Sequence, residues 1–108
     1  MPEESYKYEL SLVIPFYNEA SRVPLLVDGI KNFDQKYSDS YELILVNDGS
    51  KDDSENKLKE NSFVSSLIEK GLCRILSLDG NSGKGGALKA GLAEAEGRHI
   101  LTLDFDMA

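Results

Sequence analysis

The stretch Leu10-Ser-Leu-Val-Ile-Pro-Phe-Tyr-Asn-Glu19 joins an apolar run directly to a polar cluster. Residues 10–14 form a near-continuous apolar run, which is typical of a strand covered on both faces in a parallel sheet. Pro15 has no N–H to give to a sheet ladder, so the strand is predicted to end there. The polar residues that follow therefore lie at the carboxyl end of a buried strand.

Three more apolar runs of this kind follow, at residues 43–46, 74–78 and 100–103. Segments of helical period separate the four runs, so the order is strand, helix, strand, helix, strand, helix, strand. Connections of this length between parallel strands cross over right-handedly. The sequence therefore predicts an α/β fold, a Rossmann-like open parallel sheet with helices on both faces.

The helical segments differ in character. The first, from Val23 to Phe33, repeats apolar residues at i, i+3, i+4 and i+7, with Ser21 as its predicted cap and proline in its first turn. The second is polar, is predicted to begin at residues 50–53, and continues as a separate piece after residues 61–62. The third has a small-residue face and is predicted to end at Gly97. That face consists of Ala87, Ala90, Gly91 and Ala95.

Chain length, net charge and apolar content limit which partners and which cellular location are expected. The 108 residues suffice for one domain, and the formal net charge of −7 disfavours nucleic acid and anionic lipid as partners. The apolar runs are too short to cross a bilayer, and the start of the chain is acidic where a signal peptide is basic. A cytoplasmic location is expected, at the cytoplasmic membrane face for a full-length protein.

Cys73 is the one cysteine, so no disulfide forms within the chain, and we expect its thiol to be buried.

Polar clusters follow predicted strands one, two and four, at residues 15–19, 47–50 and 104–106. Open parallel sheets bind ligands at the carboxyl ends of their strands. We therefore expect the three clusters to converge on one site.

Each cluster has a functional and a plain structural interpretation. An aromatic ring after strand one offers a nucleotide base a stacking surface, and Glu19 offers it an acceptor, but the segment also reads as a strand-to-helix turn. Asp48 offers a carboxylate to base or ribose donors, within what is also a good turn sequence. Asp104 and Asp106 are predicted to lie on one side of an extended segment, where both could contact a divalent metal. The same pattern is also typical of a solvated acidic strand end without a ligand.

The glycine-rich stretch Asn81-Ser-Gly-Lys-Gly-Gly-Ala87 is not a phosphate-binding P-loop. That motif needs glycine where Leu78 stands and serine or threonine where Gly85 stands. The dinucleotide pattern fails as well, because Leu88 occupies its third glycine position. The glycines still let the backbone approach a ligand, and Lys84 adds a positive charge.

Together, these motifs resemble the family two glycosyltransferases of the GT-A fold. The matching motifs are Val13-Ile-Pro-Phe-Tyr-Asn-Glu19, Leu45-Val-Asn-Asp-Gly-Ser50, Asn81-Ser-Gly-Lys-Gly-Gly-Ala87 and Asp104-Phe-Asp106. The form of the last two is most similar to that of the dolichyl- or polyprenyl-phosphate glucosyltransferases.

The resemblance implies a set of nucleotide-sugar-binding residues and a metal ligand. By this resemblance, Pro15, Tyr17 and Glu19 bind the base and ribose, and Asp48 binds the base, at the uracil N3–H if the donor is a UDP-sugar. Lys84 lies near the nucleotide, and Asp104 contacts the ribose or the sugar. Asp106, the second aspartate of an Asp-x-Asp motif, binds Mg²⁺ or Mn²⁺.

The implied function is transfer of a sugar from a nucleotide-diphosphate sugar, UDP-glucose or similar, to an acceptor such as a polyprenyl phosphate. The alternative is a non-catalytic nucleotide- or metal-binding fragment, or a half-domain completed by another chain. A nicotinamide-dependent dehydrogenase is excluded because the glycine fingerprint is missing after strand one. A sugar nucleotidyltransferase is disfavoured because residues 16–19 stand where it would carry a basic, glycine-rich loop.

The resemblance also predicts that residues 1–108 are the nucleotide-sugar-binding half of a longer transferase domain, with the acceptor half missing. No residue of this chain is then expected to be the catalytic base. The fourth strand is expected to be an exposed edge and a route to self-association.

Overall fold

The computed structural model describes residues 6–38, 40–80 and 82–107 of the chain. Four parallel strands form one sheet in the order β3-β2-β1-β4. They are β1 (Tyr8–Phe16), β2 (Tyr41–Asn47), β3 (Cys73–Ser77) and β4 (Gly97–Thr102). The predicted open parallel sheet is therefore confirmed. Asn81 of the glycine-rich motif, residues 1–4 and Ala108 lie outside the described residues.

The helices are α1 (Val23–Tyr37), α2 (Ser54–Glu60), α3 (Ser62–Glu69) and α4 (Gly83–Glu94). A 3₁₀ turn, Ala20–Arg22, precedes α1. The prediction that Ser21 caps α1 is wrong because Ser21 lies inside that turn, and Arg22 takes the cap position without a side-chain hydrogen bond.

Two other helix boundaries differ from prediction, and one agrees. Helix α2 begins at Ser54 rather than at residues 50–53, because that segment is bonded to the loop after β1. Helix α4 ends at Glu94, and Gly97 instead begins β4. The separate piece after residues 61–62 is confirmed as α3, which Asn61 caps by accepting the N–H groups of its first turn.

The sheet is covered on both faces. Alternate side chains of β1 divide between two cores, since Leu12 and Ile14 face helices α1 to α3 while Val13 faces α4. Helix α4 lies so close to the sheet that a Cβ on Gly91 would stand 2.4 Å from a methyl of Val13. The small-residue face of α4 is therefore what lets this helix approach the strands, and Ala87 lies fully buried on it.

Strand β4 departs from the prediction of a strand buried on both faces. It begins three residues before the predicted run, and Ile100 and Leu101 are each 44% exposed. Within the described residues it pairs with β1 and lies at the end of the sheet order. The expected exposed edge is thus confirmed.

Candidate functional site

The carboxyl ends of β1, β2 and β4 meet in one open cleft of about 380 Å³. All seven residues predicted from the sequence line it, so the predicted convergence of the three clusters is confirmed. The lining residues are Pro15, Phe16, Tyr17, Glu19, Arg22, Asp48, Gly83, Lys84, Ala87, Asp104, Phe105 and Asp106.

The wall after β1 carries two aromatic rings with different surroundings. Phe16 is buried and packs against Phe105, with ring centroids 5.5 Å apart. Tyr17 is 37% exposed and is the ring that a ligand in the cleft can reach. Pro15 lies within β1, which ends one residue later than predicted because the Phe16 carbonyl still accepts the N–H of Asp48.

Asn18 joins the loop after β1 to the loop after β2. Its backbone has φ of 54°, a left-handed conformation that asparagine tolerates better than most residues. Its side-chain oxygen accepts the N–H of Lys51 at 2.8 Å and that of Asp52 at 3.3 Å, and its own N–H donates to Ser50 Oγ at 2.9 Å. The segment that carries Tyr17 is therefore fixed to the β2 loop.

A second set of bonds fixes Glu19 in the same way. The N–H of Glu19 donates to Ser54 Oγ at 2.8 Å, and the N–H of Ala20 donates to the Asp52 carboxylate at 3.2 Å. Burial would raise the pKa of Asp52, but hydrogen bonds from Ser54 and Ala20 hold it below its ordinary value. Asp52 thus stays ionised as an acceptor between the two loops.

Asp48 is 4% exposed and links β2 to α4. Its Oδ1 accepts both the N–H and the hydroxyl of Ser82, at 2.8 and 2.9 Å. Burying a carboxylate costs free energy unless hydrogen-bond donors compensate it. The contacts hold Asp48 in one orientation at the wall of the cleft.

Asn47 and Glu55 support this turn from outside the cleft. Asn47 accepts the N–H of Ser50 at 2.8 Å and donates to Glu55 at 2.7 Å. Burial would raise the pKa of Glu55, but hydrogen bonds from Asn47, Lys59 and Ser77 outweigh burial and lower it to about 2. An ionised Glu55 therefore anchors the turn that presents Asp48.

Residues 104–107, which carry the Asp-x-Asp motif, form a turn, here called the acidic turn. The prediction that Asp104 and Asp106 lie on an extended segment is therefore wrong. The N–H of Met107 donates to the Asp104 carbonyl at 2.8 Å, and Met107 has φ of 68°. Phe105 points into the core, where it is 3% exposed, and this burial folds the chain back after Asp104. The Asp104 and Asp106 carboxylates line the same cleft from the two sides of the turn.

Each carboxylate of the acidic turn is paired with a cation. Lys84 Nζ lies 2.7 Å from Asp104 Oδ1, and Arg22 lies 3.4 Å from both Asp106 and Glu19. Sequence reasoning placed Lys84 near the nucleotide and missed Arg22, although the i, i+3 spacing of Glu19 and Arg22 was a usable signal.

The burial of Cys73 predicted from the sequence is confirmed. Cys73 lies in the core between the sheet and helices α1 to α3, and burial raises the pKa of its thiol to about 12. The thiol therefore stays protonated and has no place in the chemistry of the cleft.

The acidic turn offers hard oxygen donors of the kind that Mg²⁺ and Mn²⁺ prefer. In the part of the chain that the structure describes, no group of three or more His, Cys, Asp or Glu side chains could hold a metal ion. Mg²⁺ is usually bound through one or two carboxylates together with water and substrate phosphates, and the acidic turn supplies two carboxylates to the cleft. Among the same residues, no helix has both the length and the apolar character of a membrane-spanning segment.

The sequence profile described as glycosyl transferase family 2 matches residues 11–108. A dolichyl-phosphate beta-glucosyltransferase of Dictyostelium discoideum is 40% identical over 107 residues, which cover 92% of this chain and 31% of the relative. A relative of the same name from Drosophila melanogaster is 39% identical, over 98% of this chain and 33% of its own length. The chain thus spans about a third of the length of these relatives.

Solved structures show the same architecture. A mannosyltransferase from Pyrobaculum calidifontis, in complex with GDP-Man and Mn²⁺, superposes with a TM-score of 0.74 at 24% identity, over 98% of this chain and 30% of that one. Glucosyl-3-phosphoglycerate synthase from Mycobacterium tuberculosis, in complex with Mn²⁺ and UDP, superposes with a TM-score of 0.62 at 27% identity, over 90% and 33%. The GT-A fold expected from the sequence is confirmed.

Proposed function

Because this chain belongs to glycosyl transferase family 2, we propose that it binds the donor of a transferase that moves a sugar from a nucleotide-diphosphate sugar to a polyprenyl phosphate. The observation that carries the proposal is the convergence of seven sequence-predicted residues on one cleft. The relatives are named as dolichyl-phosphate glucosyltransferases, which favours UDP-glucose as donor and a dolichyl-type phosphate as acceptor.

The base is proposed to stack on Tyr17, whose ring is the accessible one at the cleft wall. Asp48 is held by Ser82 in one orientation, so its carboxylate is a preorganised acceptor for an N–H of the base. Pro15 and Glu19 would complete the base and ribose contacts. The bonds between the β1 and β2 loops keep these groups at fixed separations before the nucleotide arrives.

We propose that a divalent cation offsets the negative charge of the cleft. Carboxylates outnumber cations four to two among its lining residues, so a diphosphate would be repelled without one. We propose that Asp106 holds Mg²⁺ or Mn²⁺ and that Asp104 contacts the ribose or the sugar. When bound, the metal neutralises charge on the departing nucleotide diphosphate. Lys84 lies beside Asp104 and adds a second positive charge near the nucleotide.

We also propose that residues 1–108 form the nucleotide-sugar-binding half of the transferase domain. Five of the six charged side chains that line the cleft have a role on the donor side in this account. The relatives are about three times as long as the stretch that matches this chain, which leaves further residues in them for the acceptor.

Calorimetric titration of UDP-glucose, GDP-mannose and UDP-N-acetylglucosamine in the presence of Mn²⁺ tests the proposal. We expect UDP-glucose to bind and Tyr17→Ala to weaken it about tenfold, because a stacked base loses its platform. Tyr37→Ala is the matched control, since this tyrosine is similarly exposed but lies at the far end of α1. A folded protein that binds none of the three donors would contradict the proposal, as would equal effects of the two substitutions.

A further inference from the structure

Arg22 is a charged residue of the cleft that no sequence motif accounts for. One guanidinium nitrogen lies 3.4 Å from Glu19 Oε1 and another lies 3.4 Å from Asp106 Oδ2. Its backbone N–H donates to the Glu19 carbonyl at 2.9 Å, at the end of the 3₁₀ turn. The backbone of Arg22 is therefore fixed, while its side chain bridges two carboxylates across the cleft.

The ion pair between Arg22 and Asp106 is easily exchanged. The Arg22 and Asp106 side chains are 43% and 42% exposed, and ion pairs this exposed contribute little to stability. Metal coordination by Asp106 competes directly with the Arg22 pair, since both use the same carboxylate. When the Arg22 side chain leaves Asp106 it stays in the cleft, because its backbone is fixed at the amino end of α1.

The guanidinium is chemically suited to the group that arrives with the metal. Its planar fork of N–H donors matches phosphate oxygens in a bidentate manner, which an ammonium group cannot do. Arg22 lines the same cleft as Lys84 and the acidic turn. A diphosphate bound to a cation at Asp106 would therefore lie within the reach of the Arg22 side chain.

We propose that Arg22 is a donor-binding residue that exchanges partners. Without donor it neutralises Asp106 and Glu19, and when Asp106 takes Mg²⁺ or Mn²⁺ it turns to the diphosphate of the nucleotide. The inference rests on the proposed function and adds a residue and a charge-exchange step to it. Its consequence is that one side chain opposes binding of the metal alone and favours binding of the metal together with a diphosphate.

Two titrations of Arg22→Gln separate these opposite effects. For Mn²⁺ alone we expect an affinity about two- to fivefold higher than that of the unaltered chain, because a competing cation is gone. For UDP at saturating Mn²⁺ we expect an affinity about tenfold lower, because a charge-assisted contact is lost. Arg22→Lys should weaken UDP binding less, since it keeps the charge and loses only the fork.

Arg98→Gln is the matched control, because it makes the same chemical change at the amino end of β4, away from the cleft. Both affinities should stay unchanged in it. Parallel weakening of Mn²⁺ and UDP binding in Arg22→Gln would overturn the inference, since it would indicate a merely structural role, and so would no change in either. If the unaltered chain binds no UDP at saturating Mn²⁺, the proposed function itself fails.

Discussion

Glu55 lies outside the cleft, yet its charge holds the turn that presents Asp48. Its pKa of about 2 lies below the ordinary value of 4.5, so ionised Glu55 stabilises the folded chain fully above about pH 4.5. That contribution is lost as the pH falls from about 4.5 towards 2. We expect Glu55→Gln to lower the free energy of unfolding near neutral pH, and the difference from the unaltered chain to shrink near pH 3.

Urea unfolding at the two pH values measures this difference. Glu60→Gln is the matched control because it removes an exposed carboxylate from the same helix. A Glu55→Gln deficit that is the same at both pH values would contradict the assignment of the low pKa to a stabilising carboxylate.

For single residues, the sequence predicts which side chains lie at the cleft but not which partners they bond. Residue type and position after an apolar run sufficed to bring Tyr17, Asp48 and Asp104 to one cleft. They could not give partners, because the bond from Ser82 to Asp48 joins residues 34 positions apart. The spacing of Glu19 and Arg22 indicated that pair, but the contact of Arg22 with Asp106 could not be predicted, since it depends on how α1 and the turn after β4 meet in space.

At the scale of elements, helix α1 and the acidic turn fit together at one glycine. A Cβ on Gly29 would stand 2.6 Å from Cγ and 3.2 Å from Cβ of Met107, the last residue of the turn. Alanine in a helix interior normally stabilises by about 1 kcal/mol relative to glycine. Here we expect Gly29→Ala to displace the turn and to weaken Mn²⁺-dependent UDP binding several-fold.

The double variant Gly29→Ala with Met107→Ala is the control, because it removes the Cγ of Met107, the atom that the new methyl would approach most closely. Calorimetry with UDP and Mn²⁺ should show affinity recovered in the double variant relative to Gly29→Ala. If Gly29→Ala binds as tightly as the unaltered chain, the contact with α1 does not position Asp106.

Elements were predicted well where burial followed periodicity and poorly where a polar residue was buried by a distant partner. Strand β2 was predicted to begin at residue 43, but it includes Tyr41 and Glu42, both buried. Glu42 is buried because its carboxylate accepts bonds from Ser11, Arg74 and the N–H of Glu96. Three separate segments supply those donors, so the local sequence carries no sign of them.

For the whole molecule, the exposed edge of the sheet has a consequence in solution. Ile100 and Leu101 are each 44% exposed on β4, whose outer edge pairs with no other strand among the described residues. Exposed edges of this kind template pairing with another chain. We expect residues 1–108 to self-associate as the concentration rises, and Leu101→Lys to reduce that association.

Light scattering across a concentration series measures the association. Leu92→Lys is the control, since Leu92 is similarly exposed at 43% but lies on α4 rather than on the sheet edge. Equal effects of the two substitutions would show that general surface hydrophobicity, and not the β4 edge, drives association.

The central claim for the molecule is that its cleft binds a nucleotide diphosphate through a metal held by Asp106. The direct measurement is UDP titration with and without Mn²⁺, for the unaltered chain, Asp106→Ala and the control Asp28→Ala, whose exposed carboxylate lies on α1 outside the cleft. We predict that UDP binding requires Mn²⁺, that Asp106→Ala removes both the dependence and most of the affinity, and that Asp28→Ala changes neither. Metal-independent UDP binding that is unchanged in Asp106→Ala would contradict the account.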